Sequence, residues 1–381
     1  MRTNGIGALS ALVAALFLAG CGGGSDGGND FNDNAGNTTQ ANIKEVVSFG
    51  DSLNDVGTYN PTTSPGLPAS GYNYAGLPFT TKPGNTWASY VALQYNFLLL
   101  PYERVDFGIP KSVVPTGTGQ VVLTGGTSYA QGGATVQTDD INGPGGVVTV
   151  TLPGYGPTPV QEATQLSVKK QIDTYLASRS SFNAHQLILV DGGANDILNF
   201  LSGLSTNPAN AANATAVVTA AATGMVTQLQ RLVAAGATNI VYVNVPDIGT
   251  TPFATMLLAS ANPQLPALAT QMSTGYNQAV AAGIANTKII TFDTAAMLKN
   301  VQANMSQYGM VNVNSPACNA KAQTSTTDPT SLTSLICSTA TLVAPGADSN
   351  YLFADYVHPT NGAHKIWAGL VMQQILPSIP K

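Results

Sequence analysis

Charged side chains are scarce in this sequence. Lys and Arg together number 14, Asp and Glu number 19, and the four types make up 9% of the 381 residues. The formal net charge of −5 leaves no basic excess to neutralise phosphates, so nucleic acid is not expected as a partner. Small, hydroxyl and amide residues are abundant instead, which favours the neutral, hydrogen-bonding surface of an exported protein.

Long apolar runs are also lacking, apart from one at the N-terminus that is too short to span a bilayer comfortably. This run covers residues 6–19 and follows Arg2, as in an export signal that is removed after transport. It leads into Leu18-Ala19-Gly20-Cys21, which resembles the lipobox of bacterial lipoproteins. The resemblance implies cleavage before Cys21 and acylation of its side chain; an ordinary secretory signal with a chance cysteine is the alternative.

Three regions follow from this interpretation. We expect a signal peptide over residues 1–20, a folded part over residues 44–381 and, between them, a disordered tether over residues 21–43, whose composition leaves almost nothing to bury. Gly22 after the cysteine favours the outer membrane by analogy with other lipoproteins, and two or three acyl chains anchor a protein stably. We therefore expect a protein of the cell envelope, either an outer-membrane lipoprotein or one at the periplasmic face, with release from the cell as an alternative.

Only two cysteines remain once Cys21 is set aside. Cys318 and Cys337 flank a stretch rich in Thr, Ser and Asp with little apolar periodicity. Because the export signal directs the chain to an oxidising compartment, we predict a disulfide between them. Two unrelated free thiols are the alternative.

Four short apolar runs each end at a polar turn, as buried parallel strands do. They cover residues 44–50, 187–190, 240–245 and 288–292. Helical patterns over residues 164–177, 209–235, 266–285 and 361–376 alternate with them. The alternation predicts a single α/β domain with three α/β/α layers around a mostly parallel sheet.

Two stretches, residues 58–84 and 106–159, lack this rhythm and are rich in turn-forming residues. We expect them to be insertions over the carboxyl edge of the sheet, where α/β proteins place ligands. Aromatic side chains in the first stretch could line a substrate cleft or could simply anchor the loop. They are Tyr59, Tyr72, Tyr74 and Phe79.

The segment Phe49-Gly50-Asp51-Ser52-Leu53 places a serine directly after the first predicted strand, on a tight turn that we expect to enter a helix. A hydroxyl there faces the ligand edge of the sheet. The segment resembles the first sequence block of the GDSL (SGNH) hydrolases, whose serine attacks the carbonyl carbon of an ester. A Ser/Asp helix cap is the alternative.

A serine hydroxyl needs a general base, and histidine is the usual one. In Asp355-Tyr356-Val357-His358, a carboxylate three residues before the imidazole can hold one ring nitrogen while the other faces the serine. This spacing resembles the final D-x-x-H block of the family. His364 lies inside a predicted helix with no such carboxylate and is expected to be structural or exposed, and His185 is expected to be a loop or capping residue.

Two glycine-rich segments resemble the family blocks that stabilise the oxyanion of the tetrahedral intermediate. In residues 128–135 the resemblance points to the backbone N–H of Gly133, with Gly132 adjacent. In residues 192–196 it points to the side chain of Asn195, although a turn that caps a helix is the alternative. As in the family, the backbone N–H of Ser52 would be the remaining donor.

The resemblance covers residues 45–370. Residues 245–252 also resemble a segment of the larger, bacterial GDSL lipases and esterases. Membership would imply a flavodoxin-like SGNH fold and hydrolysis of carboxylic esters through an acyl-enzyme, with a small-molecule or lipid ester as substrate. Asp51 and Asp55 flank the serine, but no zinc or calcium ligand spacing accompanies them, so no metal or cofactor is expected.

Other functions remain open at this point. A phospholipase or lipid acyltransferase would have its substrate beside the anchor, and a polysaccharide deacetylase could use the aromatic loop for sugar stacking. A catalytically silent surface binding module could retain the same scaffold. We expect a monomer, and acyl chain length does not follow from the sequence.

Overall fold

The computed structural model describes residues 43–61, 76–107, 120–139, 147–152, 156–161, 165–204, 207–319, 333–375 and 378–379. The predicted signal peptide, the acylation of Cys21 and the tether up to residue 42 lie outside these residues, as do Tyr72 and Tyr74. Ile43, assigned to the tether, is buried, so the folded part begins at least one residue earlier than predicted. None of the helices in the described ranges has the length and apolar character needed to cross a membrane.

The strands of the described chain, in order, are β1 (Glu45–Phe49), β2 (Tyr59–Pro61), β3 (Glu103–Phe107), β4 (Gln120–Leu123), β5 (Val147–Leu152), β6 (Gly156–Gln161), β7 (Gln186–Val190), β8 (Asn239–Val243), β9 (Ile290–Phe292), β10 (Asn312–Pro316) and β11 (Tyr351–Phe353). Its α-helices of eight or more residues are α1 (Trp87–Gln94), α2 (Val168–Arg179), α3 (Ala194–Leu204), α4 (Ala214–Ala234), α5 (Leu265–Ile284), α6 (Thr294–Ala303) and α7 (Asn361–Ile375).

The central sheet contains the four predicted strands in the order β1-β7-β8-β9, and all three pairings are parallel. Side chains alternate between the two faces of a strand, and in β7 both sets are fully buried. Ile188 and Val190 belong to the core on one face, and Leu187 and Leu189 to the core on the other. Burial on both faces explains why these strands are continuous apolar runs in the sequence.

Helices cover both faces of this sheet. On one face α2, α3, α4 and α5 contribute to a large core that includes Tyr175, Leu229 and Tyr276. On the other face α1 and α7 pack together, and the rings of Trp87 and Trp367 stack with centroids 5.4 Å apart. The prediction of a three-layer α/β/α fold with a mostly parallel sheet is confirmed.

The four predicted helices are present as α2, α4, α5 and α7, with shifted ends. Pro208–Asn213 forms a 3-10 helix before α4, in a region that was predicted to be α-helical. The predicted helix after Ser52 was wrong, since the chain makes a single turn, closed by the N–H of Asp55 and the carbonyl of Asp51. The Asp55 carboxylate then accepts the N–H groups of Gly57 and Thr58 and competes with helical hydrogen bonding.

The insertions contain more regular structure than predicted. Strand β3 pairs in parallel with β2 and antiparallel with β4, and β5 and β6 form an antiparallel pair. After β4 the chain returns to the central sheet, where Ser48 of β1 accepts the N–H of Tyr129 and donates to the carbonyl of Thr127. This pairing delivers the following glycines to the carboxyl end of β1.

The structure contains a disulfide between Cys318 and Cys337, in agreement with the pairing expected from the sequence. Both cysteines are buried beside Ala354. The N–H of Cys318 donates to the carbonyl of Ala354, and the carbonyl of Cys337 accepts the N–H of Lys82. The disulfide therefore joins segments next to the turn that contains Asp355 and His358.

Candidate active site

Ser52 lies at the carboxyl end of β1, on a turn held by buried hydrogen bonds. The side-chain amide of Gln171 binds both the N–H and the carbonyl of Gly50 at 2.8 Å. The N–H of Asp51 donates to Asp191 Oδ1 at 2.8 Å. Gly50 has a φ of +147°, and a Cβ there would overlap the Asp191 carboxylate, so the turn requires glycine. These contacts fix the backbone that aims the Ser52 hydroxyl.

His358 lies between Ser52 and Asp355. Its Nε2 is 2.8 Å from Ser52 Oγ, and its Nδ1 is 2.7 Å from Asp355 Oδ2. An ionised carboxylate can only accept, so Nδ1 carries the hydrogen of that bond, and Nε2 is left to accept the serine proton. The structure thus brings the three predicted side chains into one hydrogen-bonded chain.

The Asp355 carboxylate is buried and fully engaged. Its Oδ1 accepts the N–H groups of Val357 and His358, and its Oδ2 also accepts the N–H of Ser334 at 2.6 Å. Burial acts to raise the pKa of Asp355, but the charge of His358 and the hydrogen bonds prevail and lower it to about 2. The carboxylate is therefore ionised at neutral pH and can orient the imidazole and stabilise its cation.

Two of the three predicted oxyanion donors are backbone N–H groups, those of Ser52 and Gly133. Among the described residues no acceptor is found for the N–H of Ser52 or of Gly133, whereas Gly132 donates to Asp55 Oδ2 at 3.0 Å. Gly133 has a φ of +81°, and a Cβ there would lie 2.6 Å from the amide carbon of Gln165. The resemblance in sequence points to Gly133, and the bond from Gly132 to Asp55 is consistent with that choice because it occupies the N–H of the adjacent glycine.

The third predicted donor, Asn195, lies at the start of α3. Its Nδ2 donates to the carbonyl of Ala134 at 3.1 Å, which leaves the second amide hydrogen for a ligand. Asp196 accepts the N–H of Val136 at 3.0 Å and so holds α3 against the same glycine segment. The alternative of a simple capping turn accounts for neither contact.

Comparison with known proteins identifies the family of this chain. A family model described as GDSL-like lipase/acylhydrolase matches residues 46–371, which is most of the chain. The chain belongs to this family. A GDSL esterase/lipase of Arabidopsis thaliana is 23% identical over 341 residues, in a match that covers 84% of each protein. Membership of the GDSL family makes the protein a hydrolase that acts on ester bonds, and the observed α/β/α architecture is consistent with it.

Buried carboxyl groups hold the serine turn of this GDSL hydrolase by accepting hydrogen bonds from its backbone. Burial raises the pKa of Asp51 and of Asp55 to about 6, and burial together with the charge of Asp51 raises that of Asp191 well above its ordinary value. Asp55 binds three backbone N–H groups, so its function here is structural. Within the described ranges, no three His, Cys, Asp or Glu side chains are grouped so that they could bind a metal ion.

The other two histidines do not reach the serine. His364 is fully buried in α7, where its Nδ1 accepts the N–H of Trp87 at 3.1 Å and its ring stacks on Trp367. Burial lowers its pKa to about 3, so it is neutral at physiological pH. His185 lies in the turn before β7 and accepts the N–H of Lys44 through its carbonyl. Both positions agree with the structural interpretation of these residues.

Phe79 packs against the candidate site. The sequence offered two roles for the aromatics of this loop, to line a cleft or to anchor the loop. Its ring centroid lies 5.0 Å from that of His358, and Tyr59 meets it edge to face. The hydroxyl of Tyr59 donates to the carbonyl of Gly132 at 3.1 Å, and the side chain is almost completely buried. Tyr59 therefore anchors its loop, whereas half-buried Phe79 forms a wall beside the imidazole.

An apolar cavity lies close to the reactive groups. Leu53, which follows Ser52, and Val357, which precedes His358, both line it. The remaining lining residues come mainly from α6, β11 and α7 and include Leu298, Val301 and Trp367. This cavity could not be derived from the sequence because it depends on how α6 packs against α7.

Sequence reasoning also missed contacts that hold the histidine turn. The N–H of Ser334 binds Asp355, and the N–H of Phe253 donates to the carbonyl of Tyr356 at 2.8 Å. Residues 245–252, which resemble a family segment, lead directly into Phe253. They therefore precede the residue whose N–H supports the histidine turn. Neither contact has a recognisable spacing in sequence.

Proposed function

We propose that this protein hydrolyses carboxylic esters through a covalent acyl-enzyme on Ser52. The observation that carries the proposal is the continuous hydrogen-bonded chain from Asp355 through His358 to Ser52. A serine hydroxyl becomes an effective nucleophile when an adjacent base takes its proton during the attack. Here His358 Nε2 is that base, and Asp355 holds the ring in the required tautomer.

In the first half of the reaction, Ser52 Oγ bonds to the ester carbonyl carbon as its proton passes to His358 Nε2. The carbonyl oxygen becomes negatively charged and accepts hydrogen bonds from the N–H groups of Ser52 and Gly133 and from Asn195 Nδ2. The bond to the alcohol oxygen then breaks, and His358 returns the proton to the leaving alcohol.

In the second half, water attacks the acyl carbon while His358 takes one of its protons. The bond to Ser52 Oγ breaks, the proton returns to the serine, and the carboxylic acid leaves. No step needs a cofactor, since the same three side chains serve both halves.

We also propose that the chain is anchored in the cell envelope through Cys21, on the basis of the N-terminal sequence. A Cys21→Ser variant should move from the membrane fraction to the soluble fraction and should no longer incorporate a labelled fatty acid. Persistence of this variant in the membrane fraction, with acyl label, would contradict the proposal.

The decisive test of the activity is a Ser52→Ala variant assayed with p-nitrophenyl butyrate. Hydrolysis and labelling by a fluorophosphonate probe should both be lost, while the thermal unfolding midpoint stays close to that of the wild type. An active Ser52→Ala variant would overturn the assignment of the nucleophile. A wild-type protein that neither hydrolyses the ester nor reacts with the probe would instead support a binding module.

A further inference from the structure

Lys82 is a buried cation close to the proposed triad, and the mechanism above does not use it. The residue is 6% exposed. Its Nζ donates to three backbone carbonyls, those of Pro78, Thr80 at 2.6 Å and Ser334 at 3.2 Å. Three carbonyls match the three hydrogens of an ammonium group, so the buried charge has a complete set of acceptors.

The main chain of Lys82 is held by the same segment as its side chain. Its N–H donates to the carbonyl of Cys337 at 2.8 Å, and its carbonyl accepts the N–H of Thr339 at 3.2 Å. The bond from Nζ to Ser334 adds a side-chain contact to these two backbone contacts. Lys82 therefore joins the turn at residues 78–82 to residues 334–339 through both its main chain and its side chain.

Each of the two joined segments touches one member of the proposed triad. Pro78 and Thr80 flank Phe79, whose ring lies against the imidazole of His358. The hydroxyl of Thr80 also donates to the carbonyl of Pro359, one residue after that histidine. On the other side, Ser334 accepts from Lys82 through its carbonyl and donates to Asp355 Oδ2 through its N–H.

We propose that Lys82 is a positioning residue for the His358–Asp355 pair. Its ammonium group joins the turn that packs on the face of the imidazole to the segment that donates to the carboxylate. This inference rests on the proposed function, because it assigns Lys82 a role in the same proton transfer. Burial lowers the pKa of Lys82 to about 7, and the carboxylates of Asp355 and Asp55 oppose this lowering, as expected for a cation kept among negative groups.

A purely structural lysine would behave differently. If Lys82 only stabilises its loop, its removal lowers the free energy of unfolding and leaves turnover in the folded enzyme unchanged. If it positions the pair, its removal lowers kcat more than it changes KM, because small displacements of reacting groups slow the chemical step. The environment of the hydrogen between His358 Nδ1 and Asp355 then changes as well.

The test variant is Lys82→Met, which keeps an unbranched apolar stem and removes the charge and the three donors. We expect kcat for p-nitrophenyl butyrate to fall roughly tenfold to a hundredfold with KM changed by less than about threefold. Labelling of Ser52 by the fluorophosphonate should slow by a similar factor. The far-downfield NMR resonance of the His358 Nδ1 hydrogen should shift or broaden.

The matched control is Gln228→Met, which removes a buried polar group from α4, where Gln228 accepts from Arg231. It should lower stability without changing kcat or the downfield resonance. Lys82→Arg, which keeps a buried cation, should recover part of the lost kcat. A folded Lys82→Met enzyme with wild-type kcat, labelling rate and resonance would overturn the proposal.

Should Lys82→Met fail to fold, Phe79→Leu decides the matter. This variant keeps the lysine and its backbone acceptors but removes the ring through which the turn reaches His358. A lowered kcat with little change in KM supports the proposal, and a wild-type kcat contradicts it. A wild-type enzyme without esterase activity would refute the proposed function instead. The downfield resonance of the His358 Nδ1 hydrogen, compared between the wild type and the variant, needs no substrate and would still test Lys82.

Discussion

The imidazole of His358 lies 2.8 Å from the hydroxyl of Ser52, although 306 positions separate the two residues in the sequence. Contacts between α1 and α7 contribute to this approach, since the N–H of Trp87 donates to His364, which lies six positions after His358. The N–H of Asn85 donates to the side chain of Asn361 at the start of α7. The reactive pair thus depends on packing between the two halves of the chain.

Replacing Asp355 by Asn should disable the base without dismantling the site. The amide can present its NH₂ to His358 Nδ1, which favours the tautomer that cannot accept the serine proton. We expect kcat to fall on the order of 10⁴-fold with KM largely unchanged. Steady-state kinetics with p-nitrophenyl butyrate measures both. A variant that retains more than about a tenth of wild-type kcat would contradict the role assigned to this carboxylate.

Asn195→Ala tests the proposed oxyanion site. Loss of one donor should lower kcat on the order of 10²- to 10³-fold, since the hydrogen bond strengthens as charge develops on the carbonyl oxygen. The matched control is Asn314→Ala, at an exposed position in β10, which should leave kcat unchanged. Equal kcat values in the two variants would remove Asn195 from the mechanism.

His364 should make the protein less stable in acid. Burial lowers its pKa to about 3, whereas in the unfolded chain it titrates near its ordinary value of 6.5. Between these values the unfolded chain binds a proton that the folded chain does not, so the free energy of unfolding falls as the pH falls through this window. The full effect of this group is on the order of 5 kcal/mol.

The measurement is urea unfolding of the wild type and of His364→Gln between pH 7 and pH 4. Glutamine retains an acceptor for the N–H of Trp87 but does not titrate. The variant should be less stable at pH 7, because the stacking on Trp367 is lost, and should lose less stability on acidification. Asp51 and Asp55 titrate in both proteins, so their effect cancels in the comparison. Identical pH dependence would show that His364 does not carry this effect.

Removing the disulfide should affect both stability and turnover. Cys318 and Cys337 are 19 positions apart, and closing a loop of that length contributes about 3 kcal/mol in the chain-entropy model. Ser334, which donates to Asp355, lies three positions before Cys337, so kcat should fall as well. The double variant Cys318→Ala/Cys337→Ala should reproduce the effect of a reducing agent and should not respond to that agent itself. Unchanged kcat in the reduced enzyme would separate the disulfide from the site.

The parts of this fold that the sequence predicts are those with local signals. Val46, Leu187 and Val241 lie in strands buried on both faces, which produce unbroken apolar runs. Ser52 and His358 follow from motifs and from the scarcity of histidine. The helix after Ser52 was wrongly predicted because the competing acceptor is the side chain of Asp55, whose role appears only once the turn has formed.

The remaining site features depend on tertiary contacts. The resemblance points to Gly133, but the hydrogen bond that occupies the N–H of the adjacent Gly132, to the carboxylate of Asp55, is seen only in the folded structure. No motif or fixed spacing in the sequence links Lys82 to Asp355. The three acceptors of Lys82 are backbone carbonyls, which any residue type can supply. Buried backbone acceptors leave no sequence signal, so a lysine of this kind is found only in the folded structure.

The pairing of Ser48 with Thr127 and Tyr129 has a consequence for how relatives of this enzyme can diverge. It attaches the Gly133 segment to the same strand that leads to Ser52, while the connection from β3 to β4 begins and ends at neighbouring, antiparallel strands. The length of that connection can therefore vary without displacing either backbone donor. Changing the length of the connection between β3 and β4 should therefore preserve turnover of a small activated ester.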